Sequence, residues 1–280
     1  MKVAVTGASG FVGRHVVAEL RQRGVEVIPV ARLVAPIPES LQKLSWLRMD
    51  LGDASEETFG RMGHPDALIH LAWGGLPNYT SAHHFERELP NHFRFLKHLV
   101  RAGLKQIFVA GTCAEYGLQC GPLAESLDAR PPHAYALAKD VLRRQLQLLQ
   151  DELPFGLTWG RLFYLHGEGQ GAASLASLLR GAVERGDTEF PMSGGEQLRD
   201  YLPVTTAADY IARLALSGAA HGVVNVCSGR PISVRRLVEG WIEENGWRIQ
   251  PRFGVFPYPA HEPLAFWGDR TKLDQCLEPR

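Results

Sequence analysis

The first thirteen residues constrain the fold of this chain more than any other stretch. Val3–Val5 is a short apolar run typical of a buried strand, and it leads directly into Thr6-Gly7-Ala8-Ser9-Gly10-Phe11-Val12-Gly13. Glycines at this spacing permit a tight turn, a close approach of the backbone to a ligand, and close packing of the helix that follows. The start of that helix offers free N–H groups to an anion. The pattern therefore predicts a strand–turn–helix unit that holds a pyrophosphate.

Further along the chain, apolar segments of strand length alternate with segments of helical periodicity. A helix over Arg14–Arg23, ended by Gly24, follows the glycine turn. Near-continuous apolar strands separated by helices are typical of a parallel sheet covered on both faces. The predicted fold class is therefore α/β, a Rossmann-type doubly wound parallel sheet. Its predicted strands are Val3–Val5, Val25–Val30, Trp46–Met49, Ala67–Leu71, Gln106–Ala110, Leu157–Leu162 and Val223–Cys227.

The second half of the chain has a different character. It contains glycine-rich loops, and four prolines between residues 251 and 263 exclude central sheet or long helix there. A length of 280 residues exceeds one simple domain and falls short of two large ones. We predict a Rossmann domain over residues 1–163, to which 203–227 return, and a small substrate-binding lobe from 164–202 and 228–280.

Charge, cysteine and histidine usage narrow the class of protein. Thirty basic and thirty acidic residues balance, so no broad attraction to nucleic acid or an anionic membrane is expected. The four cysteines form no C-x-x-C pair, and His64, His83 and His84 have no cysteine or carboxylate at metal-binding spacing. No signal peptide and no long apolar run is visible. The sequence thus predicts a cytoplasmic protein with no metal and no membrane span.

The ends of the second and third strands bear on which dinucleotide would bind. An acidic residue after the second strand would bind a ribose 2′-hydroxyl, but this chain reads Val30-Ala31-Arg32. Arg32 can pair with a 2′-phosphate, which favours NADP(H). NAD(H) stays possible, because an arginine at a strand end can also be simply solvated. Asp50 and Leu51 follow the third strand, where they would meet the adenine edge, although Asp50 can equally cap a turn.

A second group of residues suggests catalysis at a carbon–oxygen bond. Tyr135 and Lys139 are four apart and share one helix face. A nearby ammonium is expected to lower the pKa of the phenol toward neutrality, which suits a general acid. Thr112 follows the apolar strand Gln106–Ala110, where its hydroxyl could hold a substrate oxygen. We predict that these three residues assist hydride transfer.

These motifs together resemble the extended short-chain dehydrogenase/reductases of the NAD-dependent epimerase/dehydratase type. The matching segments lie in the family's order along the chain: Thr6–Gly13, Asp50-Leu51, His70–Trp73, Thr112, Tyr135 with Lys139, Arg161–Tyr164, Arg199–Tyr201 and Asn225–Gly229. The resemblance implies a nucleotide-diphosphate sugar as substrate and a homodimer formed through two helices, near 91–101 and 135–150. The apolar stripes of those helices are equally compatible with packing in the core of one chain.

The resemblance also implies roles for individual residues. Arg199 is expected to meet the sugar-nucleotide diphosphate. The expected cofactor contacts are Gly7, Ser9, Gly10, Phe11, Val12, Gly13, Arg32, Asp50, Leu51, Leu71, Ala72, Trp73, Tyr135, Lys139 and Phe163. The expected substrate contacts are Trp73, Thr112, Cys113, Tyr135, Tyr164, Arg199 and Trp267. Phe266 and Trp267 would stack on a base or pack the lobe, and His70 is expected to be structural.

Departures from the family's patterns narrow the reaction. Family dehydratases carry Thr-Asp-Glu where this chain has Thr112-Cys113-Ala114, so dehydration is disfavoured. Glu115 lies one position too far and is expected to face the loop. Epimerase-reductases of the fucose-synthase kind place a cysteine at the position of Ala114, so Cys113 is expected to be a packing residue. A plain reductase remains.

The stretches Trp73–Tyr79 and Met192–Tyr201 resemble dTDP-sugar reductases of the 6-deoxytalose or fucose type. The leading hypothesis is NAD(P)H-dependent reduction of the C4 keto group of a nucleotide-linked 4-keto-6-deoxyhexose, for cell-surface polysaccharide or glycoside synthesis. One alternative is a nucleotide-sugar 4-epimerase with retained NAD, which would not consume reduced cofactor. Another is a non-catalytic NAD(P)-sensing protein, which would not need Thr112, Tyr135 and Lys139 together.

Overall fold

A computed structural model describes residues 1–258 and 262–278 of the chain. The strands in these residues are β1 (Lys2–Thr6), β2 (Glu26–Ala31), β3 (Leu47–Arg48), β4 (Ala67–His70), β5 (Gln106–Thr112), β6 (Gly121–Leu123), β7 (Gly156–Leu162), β8 (Tyr164–His166), β9 (Glu189–Pro191), β10 (Leu198–Pro203), β11 (Gly222–Val226), β12 (Pro231–Ser233), β13 (Gln250–Arg252) and β14 (Phe266–Gly268). The α-helices are α1 (Phe11–Gln22), α2 (Thr58–Arg61), α3 (Leu89–Arg101), α4 (Ala134–Glu152), α5 (Leu175–Glu184), α6 (Val204–Leu216), α7 (Val234–Asn245) and α8 (Thr271–Leu277).

Seven strands form one parallel sheet in the order β3-β2-β1-β4-β5-β7-β11. The strand order reverses at β1, because β2 and β3 lie on one side of β1 and β4 pairs with it on the opposite side. This is the doubly wound Rossmann arrangement, which confirms the predicted fold class. The reversal leaves a crevice at the carboxyl ends of β1 and β4.

Alternate residues of each strand serve two separate cores. Val3 and Val5 of β1 pack on one face, under α1 and α6, whereas Ala4 faces the opposite side, under α3 and α4. Both faces of the sheet are therefore buried by helices, which explains why the strands read as continuous apolar runs rather than as alternating patterns. Among residues 1–258 and 262–278, every helix is too short or too polar to span a membrane.

The smaller sheets have the orders β12-β10-β8, β13-β9 and β14-β6. A third core, which includes Leu179, Phe190 and Val238, joins α5 and α7 to two of these strands. The chain enters this region after β7 and returns to the large sheet through α6 and β11. The last helix, α8, also lies against the large sheet, because Leu273 and Leu277 belong to the core under α1 and α6.

Candidate active site

The glycine turn between β1 and α1 is packed too tightly for any larger residue. Gly7 has φ of +68°, and a Cβ atom there would lie 2.8 Å from the amide nitrogen of Ala72. A Cβ atom at Gly13 would lie 2.1 Å from the carbonyl oxygen of Gly7. Gly10 occupies the N-cap position of α1, and Phe11, Val12 and Gly13 form the first turn. The free N–H groups of this turn therefore face the end of the sheet, as an anion site requires.

A cleft of about 330 Å³ opens beside this turn, at the carboxyl ends of β1, β2 and β4. Its position is the crevice at the point where the strand order reverses, which is where doubly wound folds bind dinucleotides. Nine of the residues predicted to contact the cofactor line it: Gly7, Ser9, Gly10, Arg32, Asp50, Leu51, Leu71, Ala72 and Trp73. Phe163 instead lies in a separate buried cluster with Tyr116 and Phe266.

Arg32 and Asp50 mark the far end of the cleft. Arg32 is exposed directly after β2, and the loop that follows is held by Arg48, whose Nη1 donates to the carbonyl oxygens of Arg32 (2.9 Å) and Ala35 (2.7 Å). The Asp50 carboxylate accepts a hydrogen bond from the amide of Gly52 at 2.8 Å. Asp50 therefore caps a turn and also lines the cleft, and its contact with the adenine edge stays a prediction.

Thr112, Tyr135 and Lys139 meet where β5 ends beside the first turns of α4. The side chains of Thr112 and Tyr135 interact, and this interaction acts to lower the pKa of the phenol. Lys139 is buried, and its Nζ donates to the carbonyl oxygen of Ala110 at 2.8 Å. The same ammonium lies 4.1 Å from the centroid of the Trp73 ring and 6.0 Å from that of Tyr135. The three predicted catalytic residues are thus close together, and Trp73 connects them to the cleft.

The electrostatics of this group differ from the sequence-based expectation. Burial, reinforced by the negative charge of Glu115, raises the pKa of the Tyr135 phenol, while the hydrogen bond with Thr112 lowers it to a smaller extent. Burial also lowers the pKa of Lys139 to about 7, although Glu115 and Glu88 favour its charged form. The expected lowering of the tyrosine pKa by Lys139 is therefore wrong for this structure, because desolvation is the dominant effect on both groups. Tyr135 is held in its protonated, donating form.

Glu115 is buried under the end of β5, so the expectation that it faces the loop is wrong. Its carboxylate accepts hydrogen bonds from the amide of Thr112 (2.9 Å) and from Nε1 of Trp159 (3.0 Å), and it pairs with Nε of Arg161 at 2.8 Å. Thr112 and Glu115 form a reciprocal capping box around the short turn after β5, which rotates the carboxylate inward. The Thr-x-x-Glu spacing was a visible signal for this arrangement. Arg161 supplies the opposite charge that allows the carboxylate to be buried.

An aromatic stack forms the part of the cleft wall that is nearest to Lys139. The Trp73 ring lies against His92, with centroids 4.5 Å apart and planes inclined by 19°, and its Nε1 donates to Nδ1 of His84 at 3.1 Å. The second ring nitrogen of His84 contacts the carbonyl oxygen of Asn78 at 2.8 Å. Trp73 is therefore fixed on one face by His92 and at its edge by His84, and its other face is presented to Lys139.

Glu88 anchors this stack, and sequence reasoning missed it. Its carboxylate accepts from the amide of Gly74 (2.6 Å) and contacts the ring nitrogens of His83 (2.9 Å) and His92 (3.1 Å). Burial acts to raise its pKa, but hydrogen bonds with His92 and Gly74 outweigh it and bring the pKa of Glu88 to about 2. The i, i+4 spacing of His84, Glu88 and His92 was the available sequence signal.

His70 extends the same network into the sheet. Its Nε2 contacts Nδ1 of His92 at 2.7 Å, and its Nδ1 contacts the hydroxyl of Thr6 at 2.8 Å. Burial lowers the pKa of both histidines, so the pair is neutral at physiological pH. Within the described part of the chain, no group of three or more histidine, cysteine or carboxylate side chains is suited to hold a metal ion.

Several residues expected to contact the substrate lie in the smaller sheets. Arg199 lies in β10 and is buried. Its Nη2 pairs with the Glu262 carboxylate at 2.9 Å, and its guanidinium lies 4.7 Å from the ring centroid of Phe266. Phe266 packs in the buried cluster, and Trp267 beside it on β14 is half-buried. The Tyr164 ring packs against both Tyr201 (5.3 Å) and Phe266 (6.0 Å).

Cys113 lies between the catalytic residues and this aromatic cluster, against which it packs. Burial raises the pKa of its thiol to about 12, with further contributions from Asp200 and Glu115. A thiol in this state is not a nucleophile at neutral pH. Its contacts are those of the packing residue that the sequence suggested.

Comparison with known proteins identifies the family to which the chain belongs. Residues 3–227 match the model of the NAD dependent epimerase/dehydratase family. The chain belongs to the NAD-dependent epimerase/dehydratase family. Membership confirms the resemblance found in the sequence and, with the tyrosine–lysine pair in place, the expectation of an NAD(P)-dependent enzyme acting on nucleotide sugars.

Several family members are similar along most of their length. A dTDP-6-deoxy-L-talose 4-dehydrogenase (NAD(+)) of Aggregatibacter actinomycetemcomitans is 31% identical over 96% of this chain and 99% of its own length. A dTDP-6-deoxy-L-talose 4-dehydrogenase (NAD(P)(+)) of Kitasatospora kifunensis is 28% identical over 88% and 79%. Among solved structures, MoeE5 in complex with UDP-glucuronic acid and NAD has a TM-score of 0.82 and 26% identity, covering 99% of this chain and 92% of that one.

Proposed function

We propose that this protein reduces the C4 keto group of a dTDP-linked 4-keto-6-deoxyhexose with NAD(P)H, and catalyses the reverse oxidation when the balance of reactants favours it. The observation that carries the proposal is the placement of the half-buried Tyr135 at the end of β5 beside Thr112, with its ring centroid 6.0 Å from the Lys139 ammonium. Two relatives named as dTDP-6-deoxy-L-talose 4-dehydrogenases, similar over most of the chain, support the substrate class.

The residues divide the work as follows. When bound in the cleft, the nicotinamide supplies or accepts the hydride. Thr112 holds the C4 oxygen, since its hydroxyl lies beside that of Tyr135 at the carboxyl end of β5. Tyr135 donates its phenolic proton to this oxygen as negative charge develops there. Lys139, held by its hydrogen bond to the carbonyl oxygen of Ala110, would contact the cofactor ribose and fix the orientation of the site.

The proposed cofactor is NADP(H), with NAD(H) as the alternative. Arg32 lines the cleft, is exposed and directly follows β2, where a charge-assisted contact with a 2′-phosphate is available. The names of the relatives mention both cofactors: one is named as an NAD(+) enzyme and another as an NAD(P)(+) enzyme. Purified protein titrated with each reduced cofactor decides between them.

We also propose a homodimer through α3 and α4. The substrate-binding lobe is proposed over residues 164–202 and 228–280, except that α8 packs against the large sheet. The α4 helix presents Leu137 and Leu148 to solvent, 41% and 69% exposed. Such exposed apolar side chains on a long helix are typical of a helix–helix interface. Sedimentation of the wild type and of Leu148→Glu tests this, because a charge in the interface should dissociate the dimer.

A second candidate is a nucleotide-sugar 4-epimerase, because relatives named UDP-glucose 4-epimerase are also similar, one at 25% identity over 99% of the chain. The discriminating assay supplies 4-keto-6-deoxyhexoses on several nucleotides, follows NAD(P)H absorbance and identifies the product by NMR. A reductase consumes one reduced cofactor for each sugar, whereas an epimerase interconverts C4 epimers with no net consumption.

The matched variant for this assay is Tyr135→Phe, which removes one hydroxyl and little volume. Loss of a general acid typically costs about 10²–10⁴-fold in kcat. Cofactor affinity and fold should be retained, since the ring stays in place. A Tyr135→Phe enzyme with near-normal kcat, under conditions in which the chemical step limits the rate, would refute the proposed mechanism.

A further inference from the structure

Tyr79 lies at the catalytic centre although no sequence pattern singles out its side chain. It belongs to the segment between β4 and α3, and its carbonyl oxygen accepts a hydrogen bond from the amide of Tyr135 at 2.9 Å. This bond ties the segment to the first turn of α4. The position of the Tyr79 ring relative to the catalytic phenol is therefore set by the backbone.

The Tyr79 ring packs against the catalytic centre on one side only. Its centroid is 5.6 Å from that of Tyr135 and 5.4 Å from that of His133. The side chain is nevertheless 47% exposed, which is unusual for an aromatic residue in contact with a buried catalytic group. One part of the ring contacts Tyr135, and about half of the side chain is open to solvent.

The Tyr79 phenol interacts electrostatically with two residues that are distant in the sequence. Partial burial raises its pKa, with further contributions from Cys113 and from the Glu262 carboxylate. Cys113 directly follows Thr112, and Glu262 pairs with Arg199 of the lobe. Tyr79 is thus near the residue that follows Thr112 and near the carboxylate that pairs with Arg199.

We propose that Tyr79 forms a binding platform for the hexose ring of the substrate, an inference that rests on the proposed function and deepens it. A sugar whose oxygen reaches the Tyr135 hydroxyl would lie beside the exposed part of the Tyr79 ring, because the two ring centroids are 5.6 Å apart. Hexoses present C–H bonds on their faces, which pack on aromatic rings, and the methyl group of a 6-deoxyhexose adds apolar surface. The platform contacts the sugar and takes no part in proton or hydride transfer.

The test compares binding of dTDP alone with binding of a dTDP-6-deoxyhexose by calorimetry, in the presence of cofactor. The variants are Tyr79→Ala, which removes the ring, and Tyr79→Phe, which keeps it. Phe85→Ala is the matched control, because Phe85 is a 38% exposed aromatic residue of the same segment. Thermal unfolding followed by circular dichroism establishes that each variant is folded. We expect the Tyr79 variants to fold, because the side chain is half-exposed.

The wild type should bind the sugar nucleotide more tightly than dTDP. This advantage is the ratio of the dissociation constant of dTDP to that of the sugar nucleotide, and Tyr79→Ala should reduce it roughly 10-fold. Tyr79→Phe and Phe85→Ala should retain most of it, and dTDP affinity should be equal in all four proteins. The platform is overturned if Tyr79→Ala keeps the full advantage, or if the wild type shows none. These outcomes are independent of turnover: a wild type that binds the sugar nucleotide but reduces no 4-keto sugar refutes the proposed function alone.

Discussion

Replacing Lys139 with methionine should stabilise the cofactor-free protein at neutral and acidic pH. The pKa of Lys139 is about 7 in place of the usual 10.5, because the side chain is buried. Each pKa unit corresponds to about 1.4 kcal/mol, so keeping this ammonium charged in the fold costs about 5 kcal/mol below pH 7. Methionine fills a similar volume without a charge.

Two favourable contacts of Lys139 offset part of this cost. Its hydrogen bond to the carbonyl oxygen of Ala110 contributes about 1 kcal/mol, and its contact with the Trp73 ring contributes about 2 kcal/mol. Lys139→Met loses both. The net gain expected at pH 6 is therefore about 2 kcal/mol in the free energy of unfolding.

The pH dependence provides the sharper signature. Between pH 7 and 10.5 the unfolded wild type keeps a proton on Lys139 that the folded protein has released. Wild-type stability should therefore rise with pH through this window, whereas Lys139→Met lacks that contribution. The wild type should gain about 1.4 kcal/mol per pH unit above pH 7, so the difference of about 2 kcal/mol should vanish at about pH 8.5 and have the opposite sign at pH 10.

Urea unfolding followed by circular dichroism at pH 6, 8 and 10 measures both effects. The exposed Lys43 is the control, since Lys43→Met should leave the pH dependence unchanged. If Lys139→Met is less stable than the wild type at pH 6 and follows the same pH dependence, the lysine is not desolvated as described and the reasoning fails.

Three further outcomes are expected at other sites. Arg32→Ala should weaken NADPH binding about 10-fold or more and leave NADH binding nearly unchanged, because one charge-assisted phosphate contact contributes roughly 1.5–3 kcal/mol; equal effects on both cofactors in a fluorescence titration would exclude Arg32 as the 2′-phosphate contact. Glu115→Gln should lower the free energy of unfolding by about 3–5 kcal/mol, because it leaves the buried Arg161 without its counter-charge. In urea unfolding, the double variant Glu115→Gln, Arg161→Met should regain part of this free energy. A double variant that regains none would argue against a stabilising Glu115–Arg161 ion pair. Arg199→Ala should raise the KM for the sugar nucleotide and spare cofactor affinity; steady-state kinetics giving the reverse would place Arg199 with the cofactor.

Local sequence patterns predicted the features that depend on local geometry. These features are the glycine turn, the seven strands of the large sheet and the Tyr135–Lys139 spacing. Each is encoded by residues that are close together in the sequence, so periodicity and turn chemistry are sufficient to find it. The cleft could be placed as well, because its location follows from the strand order of the fold.

Features that depend on distant partners could not be predicted in the same way. The position of Glu115 is decided by Arg161 and Trp159, more than forty residues away in the sequence. Arg199 meets Glu262, which is 63 residues distant. The pKa of Tyr135 depends on how completely the surrounding helices exclude water, a property that its spacing from Lys139 does not contain.

The location of Trp73 gives this protein an intrinsic optical reporter. An indole that lines the dinucleotide cleft, lies on His92 and faces an ammonium will change its fluorescence when any of these neighbours gains or loses a proton. Reduced nicotinamide absorbs where tryptophan emits, so energy transfer from this indole should accompany cofactor binding. Trp73→Phe would identify its contribution among the six tryptophans of the chain. Stopped-flow emission could then follow occupation of the cleft and the protonation state beside Lys139 in real time, without an attached dye.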